Sequence, residues 1–347
     1  MRILAAPAFR NRGLNPYNAA LYSALAKRGV EVAEFSRLNV FLGRWDIVHL
    51  HWPDLLLHGA KASSTGLHLL YFLLRVFYAR VAGARVFWTV HNLRAHASKY
   101  PLLEKCLWRW FLPMVDASIH LSESGRTLAL ARFPALGARP SFVIPHGHYR
   151  DAYPNEVDQR SAREKLGIGD ERPVIGFVGQ IRPYKNVLAL ARAFLALPLE
   201  ATLVLAGMLD TSETELRAMV EDHPRVITRF GRIAEEDMQV YLQACDLLVF
   251  PFRDILNSGS VILALSFDRP VLIPAKGAMA EVQAVVGRDW VMTFDGELTP
   301  ALLAEAVDWA RSAPRAKRCD LAALDWGMIA EKTEQAYGEL LARSPRT

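Results

Sequence analysis

The sequence predicts an α/β protein built from two doubly wound, Rossmann-like units. Three observations carry this. Short apolar runs rich in Val, Ile and Leu alternate with amphipathic stretches along the whole 347-residue chain. The alternation breaks once, at a polar stretch over 152–172 (AYPNEVDQRSAREKLGIGDER) that has no strand pattern and reads as an interdomain linker with a short helix. The length suits two domains of ordinary size, each with its own core.

In the first half, strands are expected near 2–6, 30–35, 46–50, 85–90, 116–121 and 141–145. The start, MRILAAPAF, reads as a buried strand, its apolar run being too short for a signal peptide. A first helix should begin at Asn15-Pro16, with Asn15 as N-cap and Pro16 at the first helical position. The second half repeats the pattern in PVIGFVG (173–179), ATLVLAG (201–207), RVITRFG (225–231), DLLVFP (246–251) and PVLIP (270–274). The last segment, DWGMIAEKTEQAYGELLAR (325–343), is an amphipathic helix. The expected division is therefore 1–151, a linker at 152–172, 173–324, and a terminal helix in 325–347.

Composition narrows the function classes. The charged fraction is 22% and the apolar fraction 52%, as in a folded globular protein. Three scattered cysteines, Cys106, Cys245 and Cys319, form neither a disulfide framework nor a zinc pattern. No uninterrupted apolar run reaches the roughly 18–20 residues of a membrane span. The net charge of +5 hides an asymmetry. Residues 1–150 carry 19 Lys/Arg against 7 Asp/Glu, and residues 151–347 carry 22 against 29. A basic first half favours an anionic partner. Nucleic acid is disfavoured, because the cations are interleaved with apolar helices and form no stripe.

Two strand-to-helix turns have the chemistry of a diphosphate site. In GQIRPYKN (179–186), Gly179 permits close backbone approach, while Arg182 and Lys185 stand where the next helix begins. Cations there oppose the helix dipole, a local conflict that an anionic ligand would resolve. In PFRDILNSGSVILALSFDRP (251–270), a second helix begins at Asn257-Ser258-Gly259-Ser260 and offers backbone N–H groups. No Asp-x-Asp pair is present to hold a metal for a diphosphate, so metal-free binding is expected. NAD binding is set aside, because its Gly-x-Gly-x-x-Gly turn is absent.

Histidines mark the first half. Nine of ten lie within residues 1–150. His49, His51, His91, His120, His146 and His148 fall at expected strand ends, the edge where an α/β sheet places ligands. Their spacings match no usual zinc motif. GLHLLYFLLRVFYARV (66–81) and LLEKCLWRWFLPMV (102–115) are apolar helical stretches bearing arginines. Trp108, Arg109, Trp110 and Phe111 in succession cannot all face one core, so part of this surface is expected at a lipid interface.

Taken together, HLHWPD, TVHNL, HGHYRD, IRPYK and NSGSVILALSFDRPVL resemble the GT-B glycosyltransferases, and within them the xanthan-type GDP-mannose:glycolipid β-mannosyltransferases. The likeness runs in order over nearly the whole chain. It implies two Rossmann-like domains facing across a cleft, the first binding acceptor at the membrane, the second binding the nucleotide sugar, and the terminal helix packing back on the first. It further implies mannose transfer from GDP-mannose to a polyprenyl-diphosphate-linked oligosaccharide. The expected place is the inner face of the bacterial plasma membrane, in exopolysaccharide synthesis. No cofactor or metal is expected. The larger retaining GT-B family carries two glutamates eight positions apart in its last donor loop; here Ile255 and Leu263 stand at those places.

If the transfer inverts, an acceptor hydroxyl needs a general base and the departing GDP needs its charge stabilised. Arg182, Lys185 and the Ser258–Ser260 amides are expected to serve the leaving group. Asp54, stiffened by Pro53, is the first candidate base, with His51, His148 and Asp151 in reserve; the bland reading of Asp54 is a helix cap. The resemblance implies that His91 contacts mannose hydroxyls, that Arg229 and Gly231 (within RFGRI, 229–233) hold the base of the nucleotide, and that Glu281 lies near the donor. Asn15, Tyr17, Trp52 and His146 are expected on the acceptor side. Other readings stay open: a retaining transferase with another nucleotide sugar, a sugar-nucleotide epimerase, or a non-catalytic membrane-binding module.

Overall fold

The computed structural model describes residues 1–93, 99–169, 172–253 and 256–343. By its internal contacts the chain divides into one unit of 1–147 with 324–347, and a second of 148–323.

The first unit holds β1 (Arg2–Ala6), α1 (Tyr17–Lys27), β2 (Glu31–Glu34), α2 (Arg37–Leu42), β3 (Ile47–Leu50), α3 (Ala62–Val81), β4 (Arg85–Val90), α4 (Pro101–Phe111), β5 (Ala117–His120), α5 (Glu123–Arg132) and β6 (Ser141–Val143). Its strands are parallel, in the order β2-β1-β3-β4-β5-β6. The inner strands β3 and β5 are buried throughout, as expected for a parallel sheet covered on both faces.

The second unit holds α6 (Gln159–Leu166), β7 (Val174–Val178), α7 (Val187–Leu195), β8 (Thr202–Gly207), α8 (Thr214–Val220), β9 (Val226–Phe230), α9 (Met238–Ala244), β10 (Leu247–Val249), α10 (Gly259–Ser266), β11 (Val271–Pro274), α11 (Ala278–Val286), β12 (Val291–Phe294) and α12 (Pro300–Ser312). Its parallel order is β12-β11-β10-β7-β8-β9. The terminal helix α13 (Trp326–Arg343) packs on α1 in the first unit. There Ile329, Ala330, Tyr337 and Leu340 complete a core with Tyr22, Leu25, Phe87 and Ile119.

Three details differ from the sequence reading. The strand β12 is an addition: VMTF (291–294) is too short, and too closely preceded by charge, to announce itself. The first helix is bounded at Tyr17, one residue later than expected. Pro16 already has helical dihedrals (φ −73°, ψ −5°), its carbonyl accepts the Ala20 N–H, and Asn15 Oδ1 accepts the Tyr17 N–H as a cap would. Residues 152–172 contain the expected short helix, α6, but it is not a free linker element: it packs on α9 in the second unit and is fastened there. The buried Arg163 guanidinium meets Asp246 at 2.7 Å, and Asp246 also accepts the Val174 N–H. A helix with one buried face and a buried ion pair belongs to the unit it packs on.

Sheet order dictates where sites form. In an open parallel sheet, ligands sit beyond the strand C-termini where the strand order reverses. In the second sheet that point lies between β10 and β7, and in the first between β1 and β3.

Candidate active site

At the switch point of the second sheet, two turns converge. Gly179 ends β7 with φ +142°, a conformation that favours glycine. A Cβ there would stand 2.8 Å from Ser260 Oγ and 3.7 Å from Lys185 Nζ. Lys185 follows on a short 3-10 turn over Pro183–Lys185 and is buried. Its ammonium donates to Ser260 Oγ at 3.4 Å and lies over the rings of Phe177 and Phe252. Burial lowers its pKa to about 8, with the nearby Arg182 adding to the shift. Arg182 itself is half-buried.

Across the turn, the Ser258 hydroxyl caps α10 by accepting the Val261 N–H at 3.2 Å. The Gly259 and Ser260 amides, in the first turn, have no acceptor within the helix. Asn257 Nδ2 is buried with no hydrogen-bond partner among the described residues. A buried ammonium, an orphaned amide donor and two helix-end N–H groups form a donor set without a carboxylate acceptor. That is the chemistry of a phosphate site. Of the two positions that replace glutamates, Leu263 is buried within α10, and Ile255 lies outside the described residues.

The neighbouring strands end alike. Gly207 (φ +142°) and Gly231 (φ +145°) close β8 and β9, and Gly231 N–H bonds to Gly207 O. Arg229 is exposed on the edge strand β9. Glu281 lies in the first turn of α11 and is half-buried.

At the switch point of the first sheet, Tyr17 is the hub. Its ring has His51, Trp52, His91, His146 and Trp326 within 4.7–6.4 Å, centroid to centroid. Trp52 stacks on His91 at 4.2 Å. Asp54 lies in the 3-10 turn Pro53–His58, only 3% exposed. Burial raises its pKa, although it accepts a hydrogen bond from Asn92 Nδ2 at 3.1 Å. Asp54, His51, His91, Tyr17, Trp52 and His146 are thus brought to one place, and Asn15 holds the start of α1 beside them. His148 and Asp151 fall in the second unit, where His148 is buried and Asp151 exposed. The Ser266 hydroxyl accepts the Tyr149 N–H, and Asp268 binds Arg150, which secures that segment to the second unit.

Behind His91 runs a buried hydrogen-bonded chain. His51 Nδ1 lies 3.0 Å from His91 Nε2, and His51 Nε2 lies 2.6 Å from Tyr22 OH. Tyr22 OH is 2.9 Å from His49 Nδ1, which is also 2.6 Å from Tyr337 OH. His49 Nε2 lies 2.7 Å from Thr89 Oγ1. Burial holds all three imidazoles neutral near pH 7: it lowers His49 to about 3, and His51 and His91 well below the usual value. Tyr22, Thr89, Asn92 and Tyr337 went unremarked in the sequence. Tyr22 and Tyr337 look like ordinary members of apolar helix stripes, and only the fold aims their hydroxyls at a buried histidine.

The comparisons with known proteins follow this geometry. Residues 172–310 match the family model described as glycosyl transferases group 1. Over 339 residues the chain is 31% identical to the GDP-mannose:glycolipid 4-β-D-mannosyltransferase of Xanthomonas campestris pv. campestris, spanning 96% of this chain and 90% of that one. It is 29% identical over 255 residues to the α-maltose-1-phosphate synthase of Mycolicibacterium smegmatis, spanning 65% of this chain. Among solved structures, sucrose-phosphate synthase from Thermosynechococcus elongatus aligns over 99% of this chain and 100% of that one, with a TM-score of 0.70 at 18% identity. Anabaena HepE, in complex with UDP and glucose, aligns over 99% of each chain with a TM-score of 0.62 at 17% identity. These two likenesses establish the GT-B fold. The chain is a glycosyltransferase and belongs to the family of GDP-mannose:glycolipid 4-β-D-mannosyltransferases.

Proposed function

We propose that this enzyme transfers mannose from GDP-mannose to a polyprenyl-diphosphate-linked oligosaccharide. On this reading it inverts the anomeric centre to give a β-mannoside for a bacterial exopolysaccharide. The observation that carries the reading is the carboxylate-free donor set around Lys185, Asn257 and Ser260. Lys185, Arg182 and the α10 N–H groups stabilise the charge that grows on departing GDP. Asp54 serves as the base toward the acceptor hydroxyl, its raised pKa bringing it closer to the operating pH. His91, Trp52 and Tyr17 contact sugar, with Asn15 and His146 beside them. Arg229 and Gly231 face the guanine, and Glu281 stands near the donor. No metal or other cofactor takes part.

Membrane attachment is part of the proposal. Leu67, Leu70, Leu74, Phe77 and Val81 are exposed along one face of α3, with Leu102 and Trp110 exposed on α4. Of the aromatic run on α4, Trp108 and Phe111 are buried while Arg109 and Trp110 face out. Lys61, Lys105 and Arg109 supply positive charge toward anionic headgroups. No helix among the described residues is long and apolar enough to cross a membrane, so contact is peripheral.

The test is incubation with GDP-mannose and a lipid-linked oligosaccharide acceptor, with the product's anomeric configuration read by NMR. A β-mannoside is expected. An α-mannoside would reject inversion, and stabilisation by UDP but not GDP in a thermal-shift screen would reject the donor. Sedimentation with anionic vesicles should fall for Phe77→Glu while GDP affinity stays unchanged; equal sedimentation would reject this face.

A further inference from the structure

A cavity of about 240 Å³ lies in the first unit at the C-terminal ends of β1, β2 and β3. Ala6, Leu50, Phe35, Leu56 and Phe72 give it apolar walls, with the Phe35 and Phe72 rings 6.1 Å apart. Three charged residues also line it: Arg10, Glu34 and Arg75. Glu34 is already engaged, its carboxylate accepting the Ala8, Phe9 and Arg10 N–H groups at 2.6–3.3 Å. Its charge thus holds the loop after β1 in place and reaches neither arginine side chain.

Arg75 comes from α3 and is half-buried. Its guanidinium lies 4.9 Å from the Phe35 ring and 4.6 Å from the Tyr71 ring. It makes one hydrogen bond among the described residues, from Nη1 to Phe35 O at 3.3 Å. Burial lowers its pKa, but a guanidinium keeps its charge near neutral pH. Aromatic faces offset the cost of desolvating that cation only in part, and no carboxylate among the described residues completes the pairing. Two arginines against one glutamate leave the lining with a single positive charge. An apolar wall with one net cation suits an amphipathic ligand carrying one negative charge.

The surroundings say where such a ligand comes from. Leu74, next to Arg75, belongs to the exposed apolar face of α3, and Tyr71, under the guanidinium, is exposed as well. The cavity therefore borders the face for which membrane contact is proposed. We propose that it binds one anionic phospholipid of the bilayer, with an acyl chain against Phe35, Leu56 and Phe72 and the phosphate on Arg75 and Arg10. The single charge of such a lipid matches the lining better than a diphosphate does. Trp52 and Pro53 also line the cavity, and Asp54 follows them, so the occupant touches the turn that carries the candidate base. The proposal rests on the membrane reading of α3 for the source of the lipid, whereas the cavity stands without it.

The probe is dihexanoyl phosphatidylglycerol, kept below the concentration at which it forms micelles and titrated into the full chain by calorimetry. One site per chain is expected. Dihexanoyl phosphatidylcholine has the chains without the net charge, and glycerol phosphate has the charge without the chains. Each should bind at least about tenfold more weakly. Arg75→Gln should weaken phosphatidylglycerol binding by about 10- to 100-fold. Leu56→Trp, which fills the apolar part, should weaken it by at least about tenfold and serves if Arg75→Gln does not fold. Phe77→Glu alters the membrane face and not the cavity, so the monomer affinity should hold there. Equal binding of the two phospholipids, or wild-type affinity in the folded cavity variants, would overturn the proposal. Farnesyl diphosphate binding tenfold more tightly would overturn it too, giving the cavity to a prenyl diphosphate. Monomer binding without sedimentation on phosphatidylglycerol vesicles would reject the membrane face and leave the cavity site standing. Sedimentation without monomer binding would reject the cavity site and leave the face.

Discussion

Lys185 sits where two demands oppose each other. Burial favours its neutral form and brings its pKa down to about 8, while a bound diphosphate favours the cation. Without ligand, the unfolded chain holds this proton more tightly between about pH 8 and the ordinary value of 10.5. The group's contribution to folding stability therefore rises with pH across that window. Affinity for GDP should run the other way, falling as pH climbs through 8. Calorimetric titration should show that slope in wild type and a flat profile in Lys185→Met. The same substitution should weaken binding at pH 7 by about 10- to 100-fold, the worth of a charge-assisted hydrogen bond. Asp54 is the acidic counterpart. Its pKa is raised by burial, so its ionised form costs stability, and its contribution falls as pH rises through the raised value. Asp54→Asn should lower turnover by about 10²–10⁴ while its unfolding midpoint at pH 7.5 stays level or rises. Wild-type turnover in that variant would remove Asp54 from the base role.

At the scale of elements, α6 shows how a short helix expected within a linker can belong to the unit it packs on. Its sequence is polar because the helix buries only a narrow face, with Ala162 and Arg163 inward. Polarity conceals a buried arginine whose partner, Asp246, lies more than eighty residues on. Arg163→Ala should destabilise the second unit by about 1–3 kcal/mol, because the half-buried Asp246 loses a charge-assisted hydrogen bond while keeping the Val174 N–H and the Gln159 amide. Urea unfolding of the variant measures this, and a loss below about 1 kcal/mol would mean that Asp246 finds water or rearranges. The strand-end glycines behave in the opposite way. GxIRPYK announced a close approach, and Gly179 makes it, packed under Ser260. The parallel strands were legible because apolar runs bounded by Gly and Pro require only local reading. The two strand-to-helix turns at 179–186 and 257–260 were legible as turns for the same reason, each lying within ten residues of sequence. The histidine relay was not, because its members come from α1, β3, β4 and α13 and meet only after the sheet forms.

For the molecule as a whole, the division of the chain makes the half proposed to bind the nucleotide separable. Gly179, Arg182, Lys185 and Asn257 to Ser260 all lie in the continuous stretch 148–323. That stretch expressed alone should fold and bind GDP within about tenfold of the full chain's affinity, a difference of about 1.4 kcal/mol. A folded fragment with no measurable GDP binding would place an essential donor contact in the first unit.

The first unit has no such independence. Its core needs Ile329, Tyr337 and Leu340, which follow the second unit in the chain. During synthesis, the opening 147 residues leave the ribosome long before the helix that seals them. For that interval the α1 face around Tyr22 and Leu25 has no cover, while the later unit can already close around its own core. The order of maturation therefore reverses the order of synthesis, with the first unit completed last. Limited proteolysis of ribosome-stalled chains should find 148–323 protected before 1–147, and simultaneous protection would contradict that order.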